Sequence, residues 1–287
     1  MSRDTASALF SPHEMARIAE DTAIHKTLRE PGRTFCLAIV AGAFIALGFI
    51  FYITVTTGNA QMPYGLIRLA GGVCFSLGLI LIIVCGGDLF TSTVLTIVAK
   101  ASGRISCKQM LANWGNVYLG NFLGALLCVA LIWFSGQSFA ARGQWGLNVL
   151  QIADYKLQHG FVETFFLGIL ANLMVCLAVW MSYSGRTLLD KCFIVLLPIG
   201  MFVASGFEHC VANMFLIPLA IVIRFFSTET FWLAIGYSAD QFFTLNTGNF
   251  LNNLSAATLG NIVGGGLLVG WVQWSLHTQK QAQRHDQ

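Results

Sequence analysis

Two short polar stretches interrupt long apolar runs of this sequence, and both carry side chains that could do chemistry. Residues 205–213 (SGFEHCVAN) place an acid beside His209, with apolar residues on either side. Residues 86–93 (GGDLFTST) interrupt an earlier apolar run and contain Asp88 and Thr91. An unpaired charge at bilayer depth costs several kcal/mol, so ionisable groups there are candidates for function. We predict that the two stretches face each other and build one permeation site.

His209 and Thr91 form the predicted centre of that site. An imidazole titrates near neutral pH and can donate a hydrogen bond to an anion in either form; the alternative is an ordinary hydrogen-bonded core histidine. The Thr91 hydroxyl would bind a passing oxyanion or bond back to its own helix. Asp88 and Glu208 are expected to accept backbone N–H groups, cap the half-helix that follows or hold His209, with a proton relay as the alternative.

Other side chains are expected to support the pore. Lys156 either attracts anions to a mouth of the pore or is a solvated loop charge. Amide side chains inside the apolar runs are expected to hydrogen-bond between helices: Asn121, Asn172, Asn213 and Asn261. Bulky apolar residues near the breaks either pack in the core or form dry constrictions that exclude larger solutes: Phe75, Leu79, Leu89, Phe90 and Phe202.

The composition indicates an integral membrane protein. The 287 residues are 56% hydrophobic and 10% charged, against roughly 25% charged in soluble domains. A net charge of +3 is too small and too dispersed to indicate nucleic-acid binding. The eight cysteines form no CxxC pair, so neither a metal site nor a disulfide framework is expected. No cofactor motif is present.

Six apolar regions predict six membrane spans: 34–55, 66–99, 109–134, 160–183, 192–226 and 251–276. The second and fifth are too long for one crossing, since each would make a helix of roughly 50 Å against a hydrocarbon core of about 30 Å. Each also has its polar, glycine-containing stretch near the middle. We therefore predict discontinuous helices whose unwound parts line a cavity.

Lysine and arginine in the connections predict that both termini are cytoplasmic. The expected organisation is an amphipathic N-terminal helix (1–30), a channel domain (31–278) and a tail (279–287). The halves repeat, because residues 119–124 (LGNFLG) match 259–264 (LGNIVG). A repeat of three spans must be inverted in the membrane. Two half-helix N-termini converging at mid-depth would then offer unpaired N–H groups to a small anion.

The sequence resembles the formate/nitrite transporter family over almost its whole length. The segments that carry the resemblance are CGGDLFTST (85–93), GILAN (168–172), ASGFEHCVANM (204–214) and GNIVGGG (260–266). The resemblance implies an all-α, aquaporin-like protomer, a homopentamer in the inner membrane of bacteria, and a pore for formate in each protomer. It adds Val175 to the constriction residues and implies contact of the N-terminal segment with the formate-producing lyase.

Proton transfer from His209 to formate at mid-pore is a hypothesis that the sequence leaves open, beside passage of the charged anion. A nitrite or hydrosulfide channel of the same family is the alternative function. An aquaporin-type pore for neutral solutes is disfavoured, because neither break contains Asn-Pro-Ala. A membrane enzyme is disfavoured because no nucleophile motif or second histidine at metal-ligand spacing accompanies His209.

Overall fold

The structure, a computed structural model, describes residues 9–58 and 61–277. This part of the chain is helical and contains no strand. The helices are α1 (Pro12–Leu28), α2 (Pro31–Thr56), α3 (Tyr64–Cys85), α4 (Phe90–Thr93), α5 (Ile97–Ala101), α6 (Cys107–Phe134), α7 (Gln144–Leu157), α8 (Phe161–Ser182), α9 (Leu188–Ala204), α10 (Cys210–Phe226), α11 (Glu229–Ile235), α12 (Thr247–Asn261) and α13 (Val272–His277). A 3₁₀ turn joins α4 to α5, and a π-helical stretch joins α12 to α13.

The predicted all-α membrane fold, with its second and fifth regions broken, is confirmed. Non-helical residues 86–89 separate α3 from α4, and residues 205–209 separate α9 from α10. By length and composition, five helices of the described residues could cross a membrane, or six if the bent pair α10–α11 counts as one span. The chain is therefore a multi-pass membrane protein.

The sequence predicts a capping box at the start of α1, with Ser11 as the N-cap and Glu14 three residues later, and the structure has it. The Ser11 side chain accepts from the backbone N–H of Glu14, and Glu14 accepts from the backbone N–H of Ser11. These bonds hold the pKa of Glu14 below its usual value. A stripe of buried alanines on α1 faces the bundle, where α1 packs on α5 and α6. The tail predicted for 279–287 lies outside the described residues, and the domain division stays a prediction.

Helix α7 was missed by the sequence reasoning, which placed residues 144–157 in a loop. It ends shortly before α8 begins, just as α1 ends shortly before α2. Each half of the protein therefore has a short helix in front of its first long one. This correspondence positions the charges described below.

Glycines bring the helices of each half into backbone contact. The repeated segments contain two GxxxG pairs, Gly120–Gly124 and Gly260–Gly264, and this spacing predicts close helix packing. A Cβ added at Gly124 of α6 would lie 2.0 Å from the carbonyl oxygen of Ile39 in α2. In the second half, a Cβ at Gly264 would lie 2.2 Å from the carbonyl oxygen of Ile169 in α8. Neither neighbour is a side chain that could turn away, so close packing of α2 on α6 and of α8 on the α12 segment requires glycine.

Substitution of Gly124 by alanine is expected to destabilise the protein by about 3 kcal/mol or more, because the added methyl group must push two backbones apart. Gly115→Ala is the matched control on the same helix, since a Cβ there meets nothing within 4 Å. Thermal unfolding of the detergent-solubilised protein would measure both. Equal unfolding midpoints for the two variants would contradict the packing described.

Candidate functional site

The two breaks are built in the same way. Gly86 follows α3 with φ +85°, and Gly206 follows α9 with φ +77°, a backbone region that favours glycine. The chain then turns back into the bundle. Asp88 donates its backbone N–H to the carbonyl of Leu37 (3.2 Å), which anchors the first break to α2. In the second break, the backbone N–H of Glu208 is bound in the same manner to α8 (3.3 Å).

Asn121 of α6 holds the first break in place. Its Oδ1 accepts from the backbone N–H of Phe90 (2.8 Å). Its Nδ2 donates to the carbonyls of Asp88 (2.9 Å) and Ala38 (2.7 Å). The fully buried side chain thereby satisfies two backbone groups that the unwound segment would leave unpaired, and its bond to Ala38 ties the break to α2.

Asn261 does the same for the second break. Its Oδ1 accepts from the backbone N–H of Cys210 (2.9 Å), and its Nδ2 donates to the carbonyls of Glu208 (2.9 Å) and Gly168 (2.8 Å). Asn172 of α8 then joins the halves, because its Nδ2 donates to the carbonyls of Thr91 (2.9 Å) and Asn261 (2.6 Å). Each of these amides thus hydrogen-bonds to elements other than its own helix.

This arrangement corrects one expectation about the half-helix ends. The sequence predicted unpaired N–H groups there, free to bind an anion. The backbone N–H of Phe90 is taken by Asn121, and that of Cys210 by Asn261. An anion at this point must therefore receive hydrogen bonds from side chains, since these two backbone N–H groups are already used.

Asp88 is paired with two cations at the C-terminal end of α1, Lys26 in its last turn and the C-cap residue Arg29, and not with the half-helix that follows it. Lys26 Nζ lies 3.3 Å from Asp88 Oδ1, and Arg29 Nη1 contacts Oδ2. The Asp88 side chain is nearly buried, whereas the two cations are partly exposed. The pairing draws the C-terminal end of α1 against the first break.

Replacing Asp88 by asparagine is expected to loosen α1, because two ion pairs with a nearly buried carboxylate are lost together. Trypsin cuts after lysine and arginine, so cleavage after Lys26 and Arg29 should become severalfold faster. Glu20→Gln is the matched control, since it removes only the longer pair with Arg104 (3.8 Å) on the same helix. Equal cleavage rates in the two variants would contradict the conclusion that the ion pairs of Asp88 hold the end of α1 in place.

Glu208 has the equivalent partners from α7. Lys156 Nζ lies 2.9 Å from Glu208 Oε1, and His159 Nδ1 lies 3.6 Å from the same oxygen. Asn213 Nδ2 donates to Glu208 Oε2 (2.6 Å) and also to Asn253 Oδ1 (2.7 Å). Lys156 is thus neither a loop residue nor solvated; its side chain is 12% exposed and pairs with a carboxylate that is fully buried.

Lys156 and His159, at the C-terminal end of α7, correspond to Lys26 and Arg29 at the C-terminal end of α1, with the same spacing along the chain. The sequence reasoning missed three of these four residues. The available signal was the repeated pair of basic residues just before the first long helix of each half.

Thr91 and His209 meet between the two breaks. Thr91 Oγ1 lies 3.0 Å from His209 Nε2, and both residues are almost completely buried. The pair breaks the symmetry of the halves, since the residues at the equivalent positions are Val211 for Thr91 and Leu89 for His209. The two halves therefore contribute one polar pair between the breaks, where strict symmetry would give two.

The ring of His209 has a defined tautomer. As the N-cap of α10, its Nδ1 accepts the backbone N–H of Ala212 (3.1 Å). Nδ1 is then unprotonated and the neutral ring carries its hydrogen on Nε2, which donates to Thr91 Oγ1. In a protonated ring, Nδ1 would also carry a hydrogen, and this hydrogen would face the N–H of Ala212, so two donors would oppose each other. The Thr91 hydroxyl keeps its own hydrogen for another acceptor.

Two cavities approach this pair from opposite sides. The α7-side cavity, about 40 Å³, is lined by Phe75, Phe202, His209, Lys156 and Arg68 among others. The α1-side cavity, about 470 Å³, is lined by Leu79, Asp88, Ser92, Lys26 and Lys191 among others. Both contain cationic side chains.

Phe75 and Phe202 narrow the α7-side cavity just before the polar pair. Their rings meet edge to face at 5.8 Å, and Phe202 stacks on the His209 ring at 5.8 Å. Leu79 lies on the wall of the other cavity. Of the six predicted constriction residues, these three therefore line the two cavities.

The other three predicted constriction residues lie elsewhere. Phe90 packs edge-on against Tyr118 at 4.9 Å, so its ring fills the contact with α6 and does not line either cavity. Leu89 and Val175 are buried and line neither of the two cavities. Among the residues described, no group of three or more histidine, cysteine, aspartate or glutamate side chains could hold a metal ion.

Comparison with known proteins adds a family and several relatives. A sequence model of the formate/nitrite transporter family matches residues 13–275. The chain is 58% identical to the formate channel FocA of Escherichia coli K12, over 98% of this chain and 99% of that protein. It is 52% identical to the formate channel FocA of Haemophilus influenzae, over 93% of this chain and 95% of that protein.

Solved structures show the same architecture. One is described as a pentameric formate channel with formate bound; it matches with a TM-score of 0.83 at 50% identity, over 86% of this chain and 97% of that one. Another is described as an FNT family ion channel and matches with a TM-score of 0.77 at 25% identity, over 92% and 98%.

Proposed function

Because the chain belongs to the formate/nitrite transporter family, we propose that it is a channel that conducts formate and similar small monovalent anions across the membrane. The observation that carries the proposal is the buried Thr91–His209 pair between two cavities that both hold cations. The names of its relatives, which are formate channels, point to the same substrate.

The path begins at a cavity whose cations raise the local concentration of anions. The apolar rings of Phe75 and Phe202, which are in contact, then strip water from the ion and disfavour larger solutes. At the centre, the Thr91 hydroxyl and the Nε2–H of His209 replace part of the lost hydration. The two breaks are held in place by the amides of Asn172, Asn213 and Asn261. The carboxylates of Asp88 and Glu208 are paired with cations, so neither presents an unpaired negative charge that would repel the anion.

The geometry of His209 favours conduction of the charged anion over proton transfer. Its Nδ1 is engaged by the N–H of Ala212, so the neutral ring can donate a hydrogen bond but has no second proton to give. Protonation at Nδ1 would require this N-cap to open. Proton-coupled passage as formic acid is thus a second mode, reached only by breaking one hydrogen bond of the site.

The assembly and location follow as part of the same proposal. One solved relative is described as a pentamer, and large apolar side chains are exposed on several helices here, including Leu131, Phe134 and Phe193. We infer a homopentamer in contact with lipid, in the bacterial inner membrane. Both termini would be cytoplasmic, with α1 on that side.

The formate-producing lyase would contact the N-terminal segment. The relatives are named as channels, and we propose no catalytic activity.

Substrate competition tests the assignment. Purified protein in liposomes should take up labelled formate, with excess unlabelled formate competing more strongly than nitrite or hydrosulfide. Uptake of nitrite or hydrosulfide without uptake of formate would keep the fold and overturn the substrate. Passage of glycerol or another neutral solute at a comparable rate would favour an aquaporin-type pore instead.

A further inference from the structure

Arg68 lies near the start of α3, half-buried at the mouth of the α7-side cavity. Its guanidinium is held by three hydrogen bonds. Nε donates to the carbonyl of Ala204 (3.0 Å), Nη2 donates to the carbonyl of Val203 (3.2 Å), and Nη1 donates to the hydroxyl of Tyr52 (3.0 Å). The group is thus fixed in place by neutral oxygens from α9 and α2.

Two N–H groups of the Arg68 guanidinium have no acceptor in the protein, among the residues described. A guanidinium has five N–H groups, and three of them are used by the bonds just described. One N–H on each terminal nitrogen has no protein acceptor among the residues that the structure describes. The ring of Tyr64 lies 5.9 Å from the guanidinium carbon and takes no hydrogen bond from it.

The positive charge of Arg68 is also not matched by a carboxylate. No acidic side chain in the described ranges lies within ion-pair distance of it, whereas Lys156, the other cation of this cavity, is paired with Glu208. The C-terminal carbonyls of α9 offset about half a charge. Arg68 therefore supplies most of the positive potential that the cavity presents to an incoming anion.

The cavity is suited to a small ion. Its volume of about 40 Å³ accommodates roughly three water-sized particles, which is the number of heavy atoms in formate. Gly206 packs against the guanidinium so closely that a Cβ there would lie 2.9 Å from Nη2. Phe202 and His209 line the same cavity, so an ion at Arg68 is already on the path to the polar pair.

We propose that Arg68 is an anion-binding residue of the α7-side cavity, which takes a small carboxylate or similar oxyanion on its two free N–H groups before the ion reaches His209. The inference rests on the proposed channel function and adds a binding step to it. A guanidinium suits this task better than an ammonium, because paired N–H groups match the two oxygens of a carboxylate.

Formate currents in planar bilayers, recorded with formate on one side at a time, test the proposal. Arg68→Gln should raise the half-saturating formate concentration on the α7 side by about tenfold or more at low ionic strength, since it loses a charge-assisted contact. The difference should shrink at high ionic strength, where the charge is screened. With formate added on the α1 side, the half-saturating formate concentration should change much less.

Arg224→Gln is the matched control. Arg224 also donates to backbone carbonyls, those of Ala239 and Leu245, but it does not line the cavity. This variant should keep the wild-type half-saturation on both sides. A merely structural role of Arg68 would give equal changes on the two sides, without dependence on ionic strength, and would overturn the proposal.

Two further outcomes separate the claims. Absence of formate current in the wild-type protein would overturn the proposed function itself. A wild-type current with unchanged half-saturation in Arg68→Gln would overturn only the role of Arg68. If Arg68→Gln fails to fold, Arg68→Lys decides: it keeps the charge and loses the paired N–H groups, so half-saturation on the α7 side should rise severalfold, and a wild-type value would overturn the proposal.

Discussion

Substitution of Thr91 by valine is expected to reduce formate flux by about 10- to 100-fold. Valine keeps the shape of the side chain but removes the hydroxyl, so the passing anion loses one hydrogen bond and His209 Nε2–H loses its acceptor. Hydrogen bonds to charged groups contribute about 1.5–3 kcal/mol, which corresponds to this range in rate. Flux into liposomes at pH 7 is the measurement, and Thr91→Ser should keep most of the wild-type rate.

Thr93→Val is the matched control for that experiment. Thr93 lies on the same half-helix and is equally buried, but its hydroxyl has no hydrogen-bond partner. The same substitution there should leave flux within about twofold of wild type. If Thr93→Val were as damaging as Thr91→Val, the loss would report a disturbed half-helix and not a hydroxyl at the pore centre.

Removal of Lys156 is expected to produce the largest loss of stability. Lys156→Met leaves the carboxylate of Glu208 buried without its closest cation, and breaking a buried pair from one side costs about 3–5 kcal/mol. Unfolding of the purified protein, followed by heating or denaturant, would measure it. The exposed pair of Arg104 with Glu20 is the reference, because Arg104→Met should cost less than about 1 kcal/mol.

The double variant Lys156→Met with Glu208→Gln should recover most of that loss, since no unpaired charge remains. Glutamine can still accept from Asn213, which preserves the hydrogen bond on that side of Glu208. A double variant as unstable as Lys156→Met alone would show that Lys156 stabilises the protein through packing and not through its pair with Glu208.

The order of the long helices and the positions of the two breaks could be predicted from the sequence, because the apolar runs and their polar interruptions are strong signals. Regions of excess length with a Gly-containing break could only be discontinuous spans, and both breaks lie where predicted. The repeated GxxxG pairs correctly indicated close helix contacts, since glycine there is required by backbone separation. The meeting of Thr91 with His209 was expected because the two breaks were predicted to face each other, although the two residues do not occupy equivalent positions in the halves.

The charge partners could not be predicted in the same way. Asp88 and Glu208 were expected to accept backbone N–H groups, cap the half-helix that follows or hold His209, whereas cations at the C-terminal ends of α1 and α7, outside the six apolar regions, reach them. Helix α7 does carry apolar residues at helical spacing (Trp145, Val149, Ala153 and Leu157), but with 14 residues it is too short to cross a membrane, and the prediction of membrane spans therefore passed over it. Phe90 was a candidate for a constriction because it lies within the first break, with core packing as the alternative; its ring packs against Tyr118 of α6, since successive residues of a helix point in different directions.

Formate flux at pH 7 in His209→Asn, compared with His209→Ala, tests the central claim most directly. Asparagine supplies an oxygen to cap the N–H of Ala212 and an N–H to donate at the pore centre; alanine supplies neither. The account predicts that His209→Asn keeps flux within about fivefold of wild type, while His209→Ala loses it. Equal loss of flux in both variants would contradict it, because the imidazole ring itself, and therefore proton transfer, would then be required for formate to pass.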